Sequence, residues 1–378
     1  MHTEGPRMTR PSPDADRFTV WKHTWNFCQS FVPHAVFLAF IYLSTDSART
    51  VTGVAFWCWL VLAILDELLP RVPPLPWSTM EQFPIASPVG TVVKKVAILL
   101  FILFLIAQTK LGSSGVLLNR DFVLLCLTTG FLGAIFAIPI AHELMHSRSK
   151  EDRRWAVVVM AMFSYPHFCL EHMYGHHRNV GTYEDPATAR PGESIYAFFS
   201  RTLYQSFLHS WRREVLRLRL RRRGKFSVSN RILACFCIVV LLHILVFTSF
   251  GLQGALFFLA QGFTGILTLE AVNYIEHYGL QRRRTERGSY EAIGRRHSWN
   301  SAHLLTNLLL FDLARHSDHH FHPAREFRSL ELGLEAPRLP VGYFGILWIT
   351  LFPPLWRQLM DKRVQRQLGE DALLLKEV

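Results

Sequence analysis

Long apolar runs alternate along this chain with polar, histidine-bearing stretches, and the runs set the first expectation. FCQSFVPHAVFLAFIYL, VTGVAFWCWLVLAILDELL, VAILLFILFLIAQT, DFVLLCLTTGFLGAIFAIPIA, ILACFCIVVLLHILVFTSF and LQGALFFLAQGFTGILTLEAV approach the length of about 20 residues that crosses a bilayer as helix. They predict six spans, near 26–43, 51–69, 93–109, 121–142, 232–250 and 252–273. The short joins at 44–50 and 250–252 predict hairpins. A later apolar stretch, VGYFGILWITLFPPLWRQLM (341–360), is interrupted by Pro353 and Pro354 and is expected to pack on the membrane surface, because a seventh span would carry the C-terminus to the far side. The fold class that follows is all-α, a polytopic membrane protein with about six transmembrane helices.

Composition agrees: half of the 378 residues are hydrophobic, with 29 Phe and 10 Trp, which is the make-up of a membrane protein. The basic residues orient it. Arg7, Arg10, Arg17 and Lys22 precede the first span, Arg71, Lys94 and Lys95 separate the second from the third, and a dense set from Arg148 to Arg231 follows the fourth. The alternate loops carry only Arg49, Lys110 and Arg120, so the positive-inside rule puts both termini in the cytoplasm. Residues 1–20 are polar and lack the apolar core of a cleavable signal peptide; 1–22 is expected to be a mobile tail and 23–378 a single membrane-embedded domain. The net charge of +12 suits cytoplasmic loops beside anionic lipid and requires no nucleic acid. Cys28, Cys58, Cys126, Cys169, Cys235 and Cys237 sit mostly in apolar runs without a C-x-x-C pair, which suits packing better than a disulfide framework or a thiolate metal site.

The 18 histidines carry the chemistry. AHELMHSRSK places His142 and His146 four residues apart on one helical face, with Glu143 pointing elsewhere. That H-E-x-x-H pattern suits a zinc peptidase, but also any metal that accepts imidazole. EHMYGHH adds His172, His176 and His177, NYIEHYGL adds His277, and ARHSDHH adds His316, His319 and His320. The spacings i, i+4, i+5 and i, i+3, i+4 place the imidazoles of the second and fourth clusters on one side of a helix. The fourth span ends at His142 and His146, and the sixth is followed by His277, so all four clusters can meet at one cytoplasmic membrane surface. Nine imidazoles exceed the needs of one tetrahedral zinc, and two metals fit better. His34, His167, His209 and His243 are isolated and expected to be structural. A membrane zinc peptidase and a metal transporter with relay sites remain alternatives, separable by peptide cleavage and by metal flux without O2 consumption.

HELMH, EHMYGHH, NYIEHYGL and HSDHH, in this order beside six spans, resemble the integral-membrane di-iron alkane monooxygenase family, relatives of membrane fatty-acid desaturases and xylene monooxygenases. NYIEHYGL is similar to the alkane hydroxylase branch, as are GHHRNVGTYEDPATARPGESIY and HSWNSAHLLTNLLLFDLARHSDHHFHP. The chain departs from that pattern at Leu313-Ala314-Arg315, where the family commonly has Leu-Gln-Arg, and at Phe321, where it has Ala. These positions flank the histidines, so the departures bear on the substrate more than on the chemistry.

The resemblance implies a cytoplasmic, histidine-rich di-iron region with iron ligated by His142, His146, His172, His176, His177, His277, His316, His319 and His320. Each ring's other nitrogen needs an acceptor, and Glu143, Glu171, Asp185, Glu276, Asp312 and Asp318 are candidates for such outer carboxylates, the alternative for each being a solvated loop or helix-end charge. The implied reaction is O2-dependent hydroxylation of the terminal carbon of medium- to long-chain n-alkanes to primary alcohols, that is, an alkane 1-monooxygenase in the bacterial inner membrane. The chain carries no rubredoxin-like cysteine pairs, nucleotide loop or haem motif, so its electrons come from a separate carrier. The resemblance implies rubredoxin, reduced by a flavin-dependent rubredoxin reductase. The basic run WRREVLRLRLRRRGK (211–225) suits either an acidic carrier or lipid headgroups. Phe56, Trp57, Trp59 and Leu60 either line a substrate channel or face lipid. A hydroxylase or desaturase of fatty acyl, terpene or alkyl-aromatic substrates is the alternative within the same superfamily.

Overall fold

The computed structural model describes residues 25, 28, 31–39, 42, 48–72, 88–115, 117 and 119–374. The expected tail lies outside the described residues, and of the first expected span a helical stretch at 31–39 is described. In chain order the helices are α1 (Ala48–Leu68), α2 (Pro88–Gly112), α3 (Asn119–His146), α4 (Lys150–Met162), α5 (Phe168–Glu171), a π-helical turn (His172–His176), α6 (His177–Asn179), α7 (Ile195–Leu220), α8 (Arg231–His277), α9 (Leu304–Leu309), α10 (His316–Phe321), α11 (Tyr343–Thr350) and α12 (Pro353–Leu374). Among the described residues, extended pairing is confined to isolated bridges between loops.

Residues Val92–Gly112 of α2, together with α3 and α8, are long and apolar enough to cross a bilayer, and the chain is a membrane protein. Val96, Leu99, Leu103 and Ile106 of α2 and Phe236, Leu241 and Leu245 of α8 are exposed, forming an apolar surface that suits lipid and not water. α3 sits inside this layer, buried along most of its length. Its closest neighbour is α8. A Cβ at Gly130 would overlap the backbone of Gln261 and the side chain of Thr264, so glycine lets the two helices approach backbone to backbone.

Although α8 runs for 47 residues, it contains the two expected spans. Gly251, with φ 68° and ψ −171°, breaks it in a conformation that favours glycine. The chain reverses there: the rings of His243 and Phe258 are 5.2 Å apart, whereas in an unbroken helix their positions would be separated by about 22 Å. The hairpin expected from the short join is thus present, turned on a single residue. Pro353 ends the α11 segment and starts α12. The stretch 341–360 is more enclosed than expected. Tyr343, Phe344 and Ile346 are buried in protein, Trp59 Nε1 of α1 donates to the Phe344 carbonyl at 2.8 Å, and only the other face, with Trp348 and Phe352, is exposed.

Two buried carboxylates fix the starts of α9 and α8. Asp66 of α1 is fully buried and accepts hydrogen bonds from the Leu305 and Thr306 backbone N–H groups and the Thr306 hydroxyl, capping α9 from another helix. Glu214 of α7 accepts from the Arg231 backbone N–H at 2.7 Å and from the guanidinium groups of Arg231 and Arg217, pinning the start of α8. Burial raises the Glu214 pKa, but these hydrogen bonds outweigh it and hold the carboxyl at about 2.

Glu214→Gln is expected to cost roughly 3 kcal/mol, because it leaves two arginines without their counter-charge. The folded-state pKa lies below the ordinary carboxylate value of about 4.3, so the stabilisation is complete above that pH and lost as pH falls toward 2. Thermal unfolding of detergent-solubilised protein checks this: the difference between wild type and variant should shrink steadily from pH 5 to pH 2, and a pH-independent difference would refute the assignment.

Candidate metal centre

The nine clustered histidines converge in two groups. His142, His146, His172, His177 and His319 form one and His176, His277, His316 and His320 the other; within each, the donor atoms all lie within 4.8 Å of one another. In the group of five, successive Nε2 atoms approach at 2.8 to 3.1 Å. In the group of four they approach at 2.9 to 3.2 Å. Two imidazoles bound to one ion at about 2.1 Å and at right angles hold their nitrogens about 3.0 Å apart.

Hydrogen bonding alone does not explain this packing. His172 Nε2 meets the Nε2 atoms of His142, His146 and His177 at 2.8, 3.1 and 3.0 Å. A ring nitrogen has either one proton or one lone pair, so it can satisfy one of these three partners. A shared cation satisfies all of them. The rings are also in the right protonation state, since burial first and neighbouring histidines second depress the pKa values of His172, His177, His319 and His320 well below the usual histidine range. Neutral imidazole is the metal-binding form.

Helical period decides which ring joins which group. His142 and His146 in α3 are one α-turn apart and share the group of five; His316 and His320 in α10 have the same spacing and share the group of four. The second cluster follows a wider period. The His177 N–H bonds to the His172 carbonyl in a π-turn, which brings residues five apart onto one side, so His172 and His177 go together and His176 goes to the other group. The expectation that each cluster faces one way is therefore corrected. The second and fourth clusters each reach both groups. A Cβ at Gly175, inside the π-turn, would strike the Glu171 carboxylate.

The far ring nitrogens are unequally supported. Asp185 accepts from His176 Nδ1 at 2.8 Å, and Ser298 Oγ lies 3.3 Å from His277 Nδ1. Nδ1 of His172, His177, His316 and His320 is buried without a protein partner. Of the six carboxylates singled out in the sequence, two touch ligand-candidate rings: Asp185, and Glu276, whose Oε2 is 3.2 Å from His316 Nε2. The others bind elsewhere. Glu143 pairs with Lys94, Glu171 with His209, Asp312 accepts from Trp25 Nε1, and Asp318 is held by Arg295 and Arg325. Asp318 therefore anchors the backbone of α10 without touching the rings that α10 supplies. His34, His167, His209 and His243 join neither group.

An apolar cavity of about 40 Å³ is lined by Ile135, Ile138, Pro139, Val272, Leu310 and Leu313, with Thr268, Glu276 and Tyr343 as its polar residues, and Glu276 joins it to the group of four at His316. Tyr343 was not legible as a site residue; it opens an apolar run, and only the fold brings its hydroxyl to Glu276, where it donates at 2.9 Å. A second cavity of about 60 Å³, between α1, α3 and the 31–39 stretch, shares Ile135 with the first. Trp59 is buried and lines it, whereas Phe56, Trp57 and Leu60 are exposed on the outer face of α1.

The unequal groups predict unequal tolerance. Alanine at His277 leaves three imidazoles and should deplete that group of metal. Alanine at His319 leaves four and should weaken retention by roughly 10- to 100-fold while a stoichiometric site persists in excess metal. Metal analysis of purified variants across a chelator series is the check, and identical losses would contradict the partition.

Residues 122–340, which contain all nine histidines, match the family model described as fatty acid desaturase. The chain is 40% identical over 247 residues to alkane 1-monooxygenase 1 of Pseudomonas aeruginosa, covering 65% of this chain and 64% of that protein. It is 42% identical over 247 residues to alkane 1-monooxygenase of Ectopseudomonas oleovorans, covering 65% and 61%. Both matches span slightly less than two thirds of those relatives. A third, alkane 1-monooxygenase 2 of Alcanivorax borkumensis, is 32% identical over 349 residues, covering 90% of this chain and 89% of the relative. With the family model matched along more than half of its length and one such relative aligned along nearly all of it, the chain belongs to the fatty acid desaturase family and, within it, to the alkane 1-monooxygenases.

Proposed function

We propose that this protein hydroxylates the terminal carbon of medium- to long-chain n-alkanes, using O2 and two electrons from rubredoxin, itself kept reduced by rubredoxin reductase. The balance is one alkane, one O2, two electrons and two protons to one primary alcohol and one water. The observation that carries this reading is the apolar cavity joined through Glu276, 3.2 Å from His316, to four clustered imidazoles, with relatives named alkane 1-monooxygenase in support. His142, His146, His172, His177 and His319 would hold one iron ion and His176, His277, His316 and His320 the other. Two bound iron ions supply the O2-reducing and C–H-oxidising chemistry.

The chain's own part is positioning. An n-alkane offers no charge and no hydrogen bond, so the narrow walls of Ile135, Ile138, Val272, Leu310 and Leu313 select by shape and present one chain end to the group of four. Those walls also exclude water. Tyr343 Oη holds its proton on Glu276 Oε1, and Glu276 Oε2 stands beside His316 Nε2, so this pair can retain or pass a proton where the cavity comes nearest the group of four. In our reading the site faces the cytoplasm at the inner membrane, where the basic loops lie.

The deciding experiment supplies membranes containing the chain with rubredoxin, its reductase, NADH, a mixture of n-alkanes and isotopically labelled O2, and identifies products by mass spectrometry. Singly labelled primary alcohols are expected. A new double bond without label, or oxidation confined to acyl, terpene or aromatic substrates, would replace the alkane reading with its superfamily alternative. Ile135 is shared by both cavities. Ile135→Phe should therefore lower kcat/KM for the longer alkanes by about tenfold more than for the shorter ones. Equal loss at all lengths would show that the two cavities are not one path.

A further inference from the structure

A polar cleft of about 460 Å³ is lined by Gly181, Thr182, Tyr183, Glu184, Arg282, Arg284 and Tyr290 among others. We infer that this cleft is where an acidic one-electron carrier protein docks, and that the hydrogen-bonded chain Arg282–Gly181–Thr188–Asp185–His176 carries each electron inward from it. The inference rests on the oxygenase reading above. It adds the place of docking and the route.

The route is continuous. The Arg282 backbone N–H donates to the Gly181 carbonyl at 2.7 Å, and the Gly181 N–H donates to Thr188 Oγ1 at 2.9 Å. Thr188 Oγ1 donates to Asp185 Oδ2 at 2.6 Å, and the same oxygen accepts from His176 Nδ1 at 2.8 Å. Thr188 and Asp185 are buried, so no water interrupts the connection between the cleft wall and a ring of the group of four. A hydrogen-bonded bridge couples donor to acceptor better than a gap of the same length.

The rim is suited to an acidic partner. Arg178, Arg190, Arg284 and Arg287 are exposed, against two exposed carboxylates, Glu184 and Glu286. Arg284 lies 5.2 Å over the Tyr290 ring and Arg190 5.7 Å over that of Tyr183, which holds both cations at the surface beside aromatic faces. The other basic candidate, 211–225, is differently built. Arg217 is committed to Glu214, and the remaining arginines stand next to exposed Leu216, Leu220, Phe226 and Val228 at the foot of α8, a mixture that suits lipid headgroups and acyl chains. A soluble acidic carrier is better served by the cleft.

In each transfer the carrier is oxidised by one electron and the metal centre reduced by one, and two transfers supply the pair required per turnover. The test uses the full-length, iron-loaded protein in nanodiscs. Binding is measured with a zinc-substituted rubredoxin, and reduction with native rubredoxin in single-turnover absorbance experiments without alkane. Arg284→Glu should raise Kd about tenfold and weaken its salt dependence, whereas Gln at Arg219, Arg221 and Arg222 together should leave Kd as in wild type. Thr188→Val should keep the wild-type Kd but slow reduction by rubredoxin about tenfold, the scale of losing an outer hydrogen bond to a ligand. Reduction by dithionite should be unaffected, and Thr188→Ser should restore the rate. Binding unchanged in Arg284→Glu, or weakened only by the triple variant, overturns the docking site; reduction by rubredoxin at the wild-type rate in Thr188→Val overturns the route. If wild type itself neither binds rubredoxin nor accepts its electrons, the failure lies with the carrier named under the proposed function.

Discussion

The structure turns on a meeting of nitrogens that cannot all be satisfied by protons. Three Nε2 atoms crowd around that of His172, each at hydrogen-bond distance, in rings that burial keeps neutral. Lone pairs facing one another at that range repel, and only a cation between them converts the arrangement into an attraction. The surrounding architecture serves this convergence. α3 and α8 pack backbone to backbone at Gly130 so that their histidine-bearing ends lie together, and Arg295 and Arg325 hold Asp318 so that α10 can aim three rings inward. The two groups are also electrically unequal. Both carboxylates that touch the rings, Asp185 and Glu276, touch the group of four, which Glu276 joins to the apolar cavity and Asp185 to the hydrogen-bonded route to the surface.

Much of this was legible in the sequence because the signals are local. Apolar runs near 20 residues identify spans without knowledge of what they pack against, and the matching helices extend only a few residues beyond the expected bounds, as with Asn119–His146 for 121–142. Histidines in four short clusters, three of them with helical spacing, already define a candidate site. The allotment of rings to two groups was not legible. It depends on a π-turn that widens the period by one residue, and no residue in EHMYGHH announces that turn except Gly175, whose missing side chain makes room for the Glu171 carboxylate.

The outer partners were less legible still, for a different reason. A carboxylate near a histidine in sequence has many ways to be satisfied, and the fold chose among them by distance: Lys94 reached Glu143 from α2, His209 reached Glu171 from α7, and Trp25 reached Asp312. Tyr343 is the inverse case. It sits in an apolar run where a tyrosine reads as packing, yet α11 folds back against α1 and delivers the hydroxyl to Glu276. Such roles are properties of pairs of elements, and only tertiary structure pairs them.

The crossing of clusters between groups has a consequence for how the site is held. Had each cluster served one metal, either centre could be lost or rebuilt alone. Instead His176 leaves its neighbours His172 and His177 for the other group, and His319 leaves His316 and His320, so two short segments are each tied to both groups. Both segments are short, and α10 is held in place by Arg295 and Arg325 at Asp318, so the same anchor positions rings of both groups. A metal ion held at either group would therefore also fix a segment that carries a ring of the other, offsetting part of the cost of burying unpaired imidazoles there. The two groups of rings thus form one structural element, fastened by the ends of α3 and α8.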